Sequence, residues 1–344
     1  MSYQAGKRLL EADILRPLAV LLVVVLHSFT IYWGKWSPPE GFVDCAPYKW
    51  IAATCFSFTM ELFVLLSGYI FGYQMFVQNK HFTLKSLARN KLKRLIVPSL
   101  IFGLIYGLIF YREREFLDAA YAVLNGAGHL WFLPMLFWCF LLGFLLYRSA
   151  LNQKTKLLIL LAAVMLSVIS FPLRLDKTLY YLFFFYLGMA FMHNQDVCRR
   201  LSENNVFLIS MAITWLTLFI SYELVLPALP RHFESGLLEV SVKLLKKAWV
   251  FLYASAGTLF SFMLAYRIMQ RRTCLPKSVL FCSSVSFGVY LFHQIVIEVL
   301  YYKTSLPVLL GPYWLPWIGL GVAMSVSVLL VLLVRRLDLK FLGI

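Results

Sequence analysis

The sequence predicts an all-α fold: a polytopic integral membrane helical bundle of about ten transmembrane helices, with both termini cytoplasmic. Three observations carry that expectation. Hydrophobic residues make up 61% of the 344 and charged residues only 14%, against about 25% charged in a soluble domain. The apolar residues run in blocks and not in alternation, and the mean hydropathy is +0.77. The 32 Lys+Arg exceed the 16 Asp+Glu to give a net charge of +16, and they collect in alternate loops. Gly (18) and Pro (13) are too few for a low-complexity or fibrous chain, and the apolar content excludes disorder.

A helix needs about 20 apolar residues to cross a hydrocarbon core roughly 30 Å thick, and shorter spans are tolerated inside a bundle. Ten segments qualify, at about 14–33, 50–73, 95–111, 129–147, 157–173, 178–192, 206–226, 248–266, 282–302 and 313–334. The first follows Lys7 and Arg8, yet it is too long for a signal-peptide core. It also runs into Trp33-Gly34-Lys35-Trp36 without a small-residue cleavage site, so it is a retained helix. Asp13, Arg16 and His27 lie along it. An ionisable residue at membrane depth is a functional candidate, because leaving it in lipid is expensive. Arg16 and His27 are 11 residues apart, about 1100° of rotation at 100° per residue, so they share a face about 16 Å apart along the axis. Arg16 then sits at the cytoplasmic mouth and His27 past the midplane, with Asp13 placed to fix the guanidinium. Taken alone, the three residues equally suit a positive-inside anchor and a satisfied bundle histidine.

The second segment carries Glu61 near its centre and Ser67-Gly68 toward its cytoplasmic end. A carboxylate there needs a partner, His27 or an arginine, and a structural salt bridge suits it as well as a catalytic role. Gly lets helices approach closely, and Ser can hydrogen-bond across the interface. Between the second and third segments runs a basic loop, from Lys80 through Arg89, Lys91, Lys93 and Arg94 to Pro98. Lys91 and Arg94 are one turn apart at the mouth of the third helix, a spacing that lets both reach one phosphate-bearing ligand. A solvated loop on anionic headgroups is the competing reading.

Gly128-His129-Leu130-Trp131 opens the fourth segment. Trp is ordinary at an interface, while a histidine beside it can bind a polar acceptor. The fifth and sixth segments are short, separated only by Pro172–Lys177, and predict a tight helical hairpin. The seventh and eighth are apolar runs between charged ends, Arg199 and Arg200 before one and Arg267 after the other. The ninth carries Ser286, Gly288, Tyr290 and a second buried histidine, His293, with Gln294 and Glu298 as i,i+4 neighbours on another face. The tenth closes on Arg335 and Arg336. His81, His193 and His232 fall in or near loops and take no role.

With a cytoplasmic N-terminus, 21 of the basic residues fall in inside segments and 11 outside, among the latter Arg112, Arg114 and Arg231. Lys340 falls on the inside at the C-terminal end. This is the positive-inside pattern, and ten crossings return the C-terminus to the cytoplasm. The basic excess is therefore mostly topology, and no nucleic-acid motif accompanies it. The six cysteines contain no CxxC pair, and only Cys45 falls in an outside loop; neither a disulfide framework nor a metal site is expected. One transmembrane domain over residues 10–336 is expected, with no separate soluble domain.

Together these residues resemble the membrane-bound acyltransferase 3 family, over nearly the whole chain and in the family's order. Arg16-x10-His27 matches its first-helix signature, and Glu61 through Tyr69 its acidic residue leading into Leu-Ser-Gly-aromatic. Lys91-Leu-Lys-Arg94 before Pro98 matches its Arg-x-x-Arg, with lysine in the first position; lysine keeps the charge and loses the bidentate fork. His129–Phe132 and Ser286-x-Gly288-x-Tyr290-Leu291-x-His293 match two later elements.

The resemblance implies an integral membrane O-acyltransferase of the bacterial cytoplasmic (inner) membrane. It moves an acyl group, acetyl being the simplest, from cytoplasmic acyl-CoA to a hydroxyl of a cell-envelope saccharide. It implies acyl-CoA as a substrate in place of any tightly bound cofactor, and membrane lipid as surroundings. Arg16, Lys91 and Arg94 would hold the donor's phosphates. His27 would be general base or acyl carrier, and Glu61 would orient it. Asp13, Ser67, His129, Trp131, Ser286, Tyr290 and His293 would support the acceptor side. Some relatives carry an extracytoplasmic esterase-like domain, so transfer here is either direct or through a separate partner. An exporter or flippase of a lipid-linked saccharide is the alternative, disfavoured by the lack of a repeated half-chain pattern.

Overall fold

The computed structural model describes residues 8–39, 42–111, 115–226, 236–339 and 342. Of the positions raised above, Lys7, Arg112, Arg114, Arg231, His232 and Lys340 lie outside them. Among the described residues there is no strand, and the α-helices in chain order are α1 (Leu10–Phe29), α2 (Ala46–Gly72), α3 (Leu84–Lys91), α4 (Val97–Phe110), α5 (Phe116–Leu124), α6 (Phe132–Arg148), α7 (Gln153–Leu166), α8 (Leu175–His193), α9 (Gln195–Glu203), α10 (Asn205–Val225), α11 (Gly236–Gln270), α12 (Lys277–Tyr302) and α13 (Leu306–Arg336).

Among the described residues, eight helical stretches are long and apolar enough to cross a membrane, and they coincide with the first four and last four expected segments. The fifth and sixth segments are α7 and α8. With 14 residues, α7 spans about 21 Å, short of a hydrocarbon core. Its partner α8 is diluted by Asp176, Lys177 and three tyrosines. They pack as the expected hairpin, turning through Pro172–Arg174 with Leu173 and Arg174 in the left-handed region (φ 56° and 59°). Side-chain caps start the neighbouring helices: Asn152 accepts from the Thr155 amide at 2.8 Å and Asn204 from the Phe207 amide at 3.1 Å, each satisfying an orphan donor of a first turn.

The chain divides into two compact units, each assembled from three separated stretches. The first comprises Met1–Ala12, Met60–Lys91 and Met135–Cys274. Within it α2 and α8 touch backbone to backbone. A Cβ on Gly68 would lie 1.9 Å from the Phe185 carbonyl oxygen, and one on Gly188 would lie 2.0 Å from that of Leu65. Glycine on both sides permits this crossing, the close approach that small residues give membrane helices. Phe71, Phe140 and Phe185 fill the space beside it, at ring separations of 5.3 and 4.8 Å. Ser67 donates to the Phe63 carbonyl of its own helix at 2.9 Å. The bond expected across the interface gives way to this one because a mid-helix serine finds the i−4 carbonyl nearer than any neighbour.

The second unit comprises Asp13–Thr59, Leu92–Pro134 and Leu275–Ile344, and it holds most of α1 together with α4, α5, α12 and α13. Here α12 packs along α13, and the Tyr301 hydroxyl donates to the Ser28 carbonyl of α1 at 2.8 Å. Phe29 of α1 sets its ring against Trp317 at 4.9 Å. These contacts bring the C-terminal halves of α1 and α12 side by side.

Candidate active site

The second unit assembles three histidines from distant parts of the chain. His27 comes from the last turns of α1, His293 from the middle of α12, and His129 from a 3-10 turn at Gly128–Trp131 that leads into α6. Ring centroids lie 5.0 Å apart for His27 and His293, 4.8 Å for His129 and His293, and 6.3 Å for His27 and His129. The turn holding His129 is pinned from α12, since the Tyr290 hydroxyl donates to the His129 carbonyl at 2.6 Å. Gly128 has φ +54°, and a Cβ there would sit 3.0 Å from the Gln294 amide nitrogen and 3.1 Å from the Tyr106 ring. A side chain there would be strained in its backbone and would push on both neighbours.

Hydrogen bonding assigns the tautomers. Nδ1 of His293 lies 2.8 Å from the Tyr290 carbonyl and 3.1 Å from that of Val289. Carbonyls only accept, so Nδ1 carries the proton and Nε2 carries a lone pair. Nδ1 of His27 lies 2.8 Å from the Val23 carbonyl and 3.3 Å from His293 Nε2. Both neighbours are acceptors, so His27 is likewise protonated at Nδ1. Its Nε2 is left as a free base. This is the state a general base requires, with the opposite nitrogen held by a fixed acceptor.

Beside His27 opens a cavity of about 610 Å³, lined also by Trp36, Ser37, Tyr106, Tyr111, Gly128, His129, Trp131, Gln294, Glu298 and Tyr302. Gln294 and Glu298 line this cavity and His293 is not among its lining residues, as expected of a face of α12 turned away from His293. The Gln294 amide nitrogen and the Tyr106 hydroxyl donate to the two oxygens of Glu298. Trp36, Tyr106, Gln294 and Glu298 therefore belong to the site without having been singled out for it. A buried carboxylate in the apolar run of α12 was the one signal in the sequence.

At the other end of α1, Arg16 lies 3.6 Å from the Asp13 carboxylate. Ser283 of α12 ties the pair together, donating to Asp13 at 2.8 Å and accepting from Arg16 at 3.4 Å. Asp13 thus fixes the guanidinium as expected. Arg94 is exposed, and Lys91 lays its ammonium 3.4 Å from the centre of the Phe140 ring and 5.7 Å from that of Phe71. A wider, π-helical turn at Leu92–Ile96 separates the two residues, so the α-helical spacing that would align them is absent. Ser286 donates to the Cys282 carbonyl of its own helix at 2.6 Å.

Glu61 belongs to the first unit, and the expected histidine or arginine partner gives way to a tyrosine. The Tyr180 hydroxyl donates to its Oε1 at 3.1 Å, Lys247 stands 4.9 Å from the Tyr180 ring centre, and Oε2 has no hydrogen-bond partner among the described residues. Tyr180 and Lys247 come from α8 and α11, 119 and more residues away. No motif in the sequence links them.

Comparison with known proteins is informative at the level of the family alone. No curated protein and no solved structure matches the chain. The family described as an acyltransferase domain matches residues 9–336, which includes both α1 with its Arg16 and His27 and the helices that bring His129 and His293 to them. With its membrane-spanning helices and this match over nearly the whole length, the chain belongs to the acyltransferase 3 family.

Proposed function

We propose that this membrane acyltransferase takes an acyl group, acetyl in the simplest case, from acyl-CoA on the cytoplasmic side of a bacterial inner membrane and places it on a hydroxyl of a cell-envelope saccharide. The observation that carries the reading is His27 in the wall of a cavity large enough for a substrate, with its Nδ1 2.8 Å from the Val23 carbonyl, an arrangement that leaves Nε2 to act as the base. Nε2 removes the proton of the acceptor hydroxyl as its oxygen attacks the thioester carbonyl. The tetrahedral intermediate collapses by breaking the C–S bond, and the departing CoA thiolate takes the proton back from the imidazolium. The products are the O-acyl ester and free CoA. His293 accepts from His27 through Nε2 and steadies the ring while it is cationic. Arg16, oriented by Asp13, receives a phosphate of the donor; Lys91 and Arg94 supply further positive charge on the same loop side of the membrane. Glu61, bonded to Tyr180, serves as a structural carboxylate within the first unit.

The test is label transfer from radiolabelled acetyl-CoA into envelope carbohydrate by isolated membranes, with and without the gene. Mass spectrometry of the polysaccharides then identifies the acylated sugar. The expected result is a mass increment of one acyl group per modified residue that disappears in the deletion strain. Identical polysaccharides in both strains, or label that never leaves CoA, would overturn the proposal.

A further inference from the structure

The cavity beside His27 contains a polar array that acyl transfer alone does not need. Glu298 accepts from Gln294 at one oxygen and from Tyr106 at the other. One N–H of the Gln294 amide is thereby used, while among the described residues its Oε1 has no hydrogen-bond partner although the residue is only 3% exposed. What the array offers is mostly acceptor capacity: the spare lone pairs of the carboxylate and the amide oxygen. A buried acceptor is costly to leave unanswered, so a ligand that completes the array has to bring O–H or N–H donors. His129 lines the same cavity and is only 4% exposed. A neutral imidazole presents one donor and one acceptor, and a hydroxyl answers either. Aromatic rings form much of the remaining wall, with Trp36 5.7 Å from His27 and 6.3 Å from Tyr302. A ring with a C–H face and a rim of hydroxyls meets both kinds of wall. An anionic group would meet the Glu298 carboxylate as a like charge.

We propose that this cavity receives an uncharged, hydroxyl-rich sugar ring and turns away acidic sugars, with the Tyr106–Glu298–Gln294 array reading the hydroxyls and Trp36 covering the apolar face. The acyl-transfer reading enters only by making that sugar the acceptor.

The experiment uses the full-length chain in nanodiscs, with methyl β-glucopyranoside and methyl β-glucopyranosiduronate as probes. Binding is followed by tryptophan fluorescence without donor, and acylation with acetyl-CoA. The glucoside is expected to bind and react about tenfold or more in preference to the glucuronide, as one charge contact of about 1.4 kcal/mol gives. Glu298→Gln should narrow that ratio below about threefold and raise the glucoside KM, with the KM for acetyl-CoA unchanged. Trp36→Leu should weaken both sugars alike, a control that leaves the array intact. If the glucoside binds and Glu298→Gln erases the discrimination but nothing is acylated, the sugar site stands and the transfer reading falls. If acylation proceeds and Glu298→Gln keeps the wild-type ratio, the site falls and transfer stands. Absence of saturable binding of either glycoside, or preference for the glucuronide, also overturns the site.

Discussion

The Gly68–Gly188 crossing offers a sharp test of how the first unit is held. An alanine at Gly68 puts its Cβ 1.9 Å from the Phe185 carbonyl oxygen and 2.8 Å from the carbonyl carbon. Ordinary contact begins near 3.4 Å, so one backbone has to retreat by about 1.5 Å in an interior packed as densely as an organic crystal. The obstacle is main chain, which no rotamer change relieves. Overpacking typically costs 1–3 kcal/mol, and a backbone clash belongs at the upper end, about 3 kcal/mol. Alanine recovers about 1 kcal/mol over glycine in helix propensity. The expected net loss is therefore about 2 kcal/mol.

The same substitution at Gly321 in α13 meets nothing within 4 Å, and there only the propensity gain of up to about 1 kcal/mol remains. Thermal unfolding of the full chain in detergent reads both. With about 2–4 °C per kcal/mol for a chain of this order, Gly68→Ala should melt about 4 °C or more below wild type, and Gly321→Ala at or above it. A Gly68→Ala protein that melts with the wild type refutes the backbone contact. Equal losses at the two sites would show that any added methyl group is harmful, and the reasoning would fail equally.

Three further predictions concern chemistry. His27→Ala should lower acyl transfer by the 10²–10⁴-fold that a general base contributes while the protein inserts and accumulates normally; retained turnover sinks the base assignment. Lys91→Arg should keep acyl-CoA affinity within about twofold, since a guanidinium stacks on the Phe140 and Phe71 rings as an ammonium does, and a large loss of donor binding would contradict the donor-side role. In single-cysteine variants Cys198, buried in α9 between the spans, should resist maleimide at pH 7–8. Burial and the nearby Glu11 push its thiol up to about 12, so at that pH it stays protonated and unreactive; exposed Cys274 should label, and equal rates at both would refute the buried placement.

Much of the architecture was legible because membrane insertion depends on a sum over consecutive residues. Eight of ten expected spans are helices of membrane length, and the turn at Pro172–Arg174 falls inside the predicted hairpin. The short helices α3, α5 and α9 were not visible, being brief or amphipathic pieces between the spans. The early start of α11 at Gly236 was missed too, because its first turns are mixed in polarity and supported by a Glu239–Lys243 pair at 2.6 Å. In the site, His27, His129 and His293 each stood out as an ionisable residue in an apolar run. Gln294 and Glu298 were legible as an i,i+4 pair on a face of α12 other than that of His293, and the structure opens the cavity on that face, which helical phase alone does not say.

By itself, then, the sequence determined the class of the protein, its spans and the face of α1 that carries Arg16 and His27. Those properties depend on residues within a few turns of one another, where hydropathy and a 100° rotation suffice. The tertiary structure alone decided that His293, 266 positions away, lies 3.3 Å from His27, that His27 lines the cavity, and that Glu61 bonds to Tyr180. A contact between distant segments depends on how helices cross and which backbones come close enough to touch. That is a property of surfaces in three dimensions, and no local run of residues encodes it.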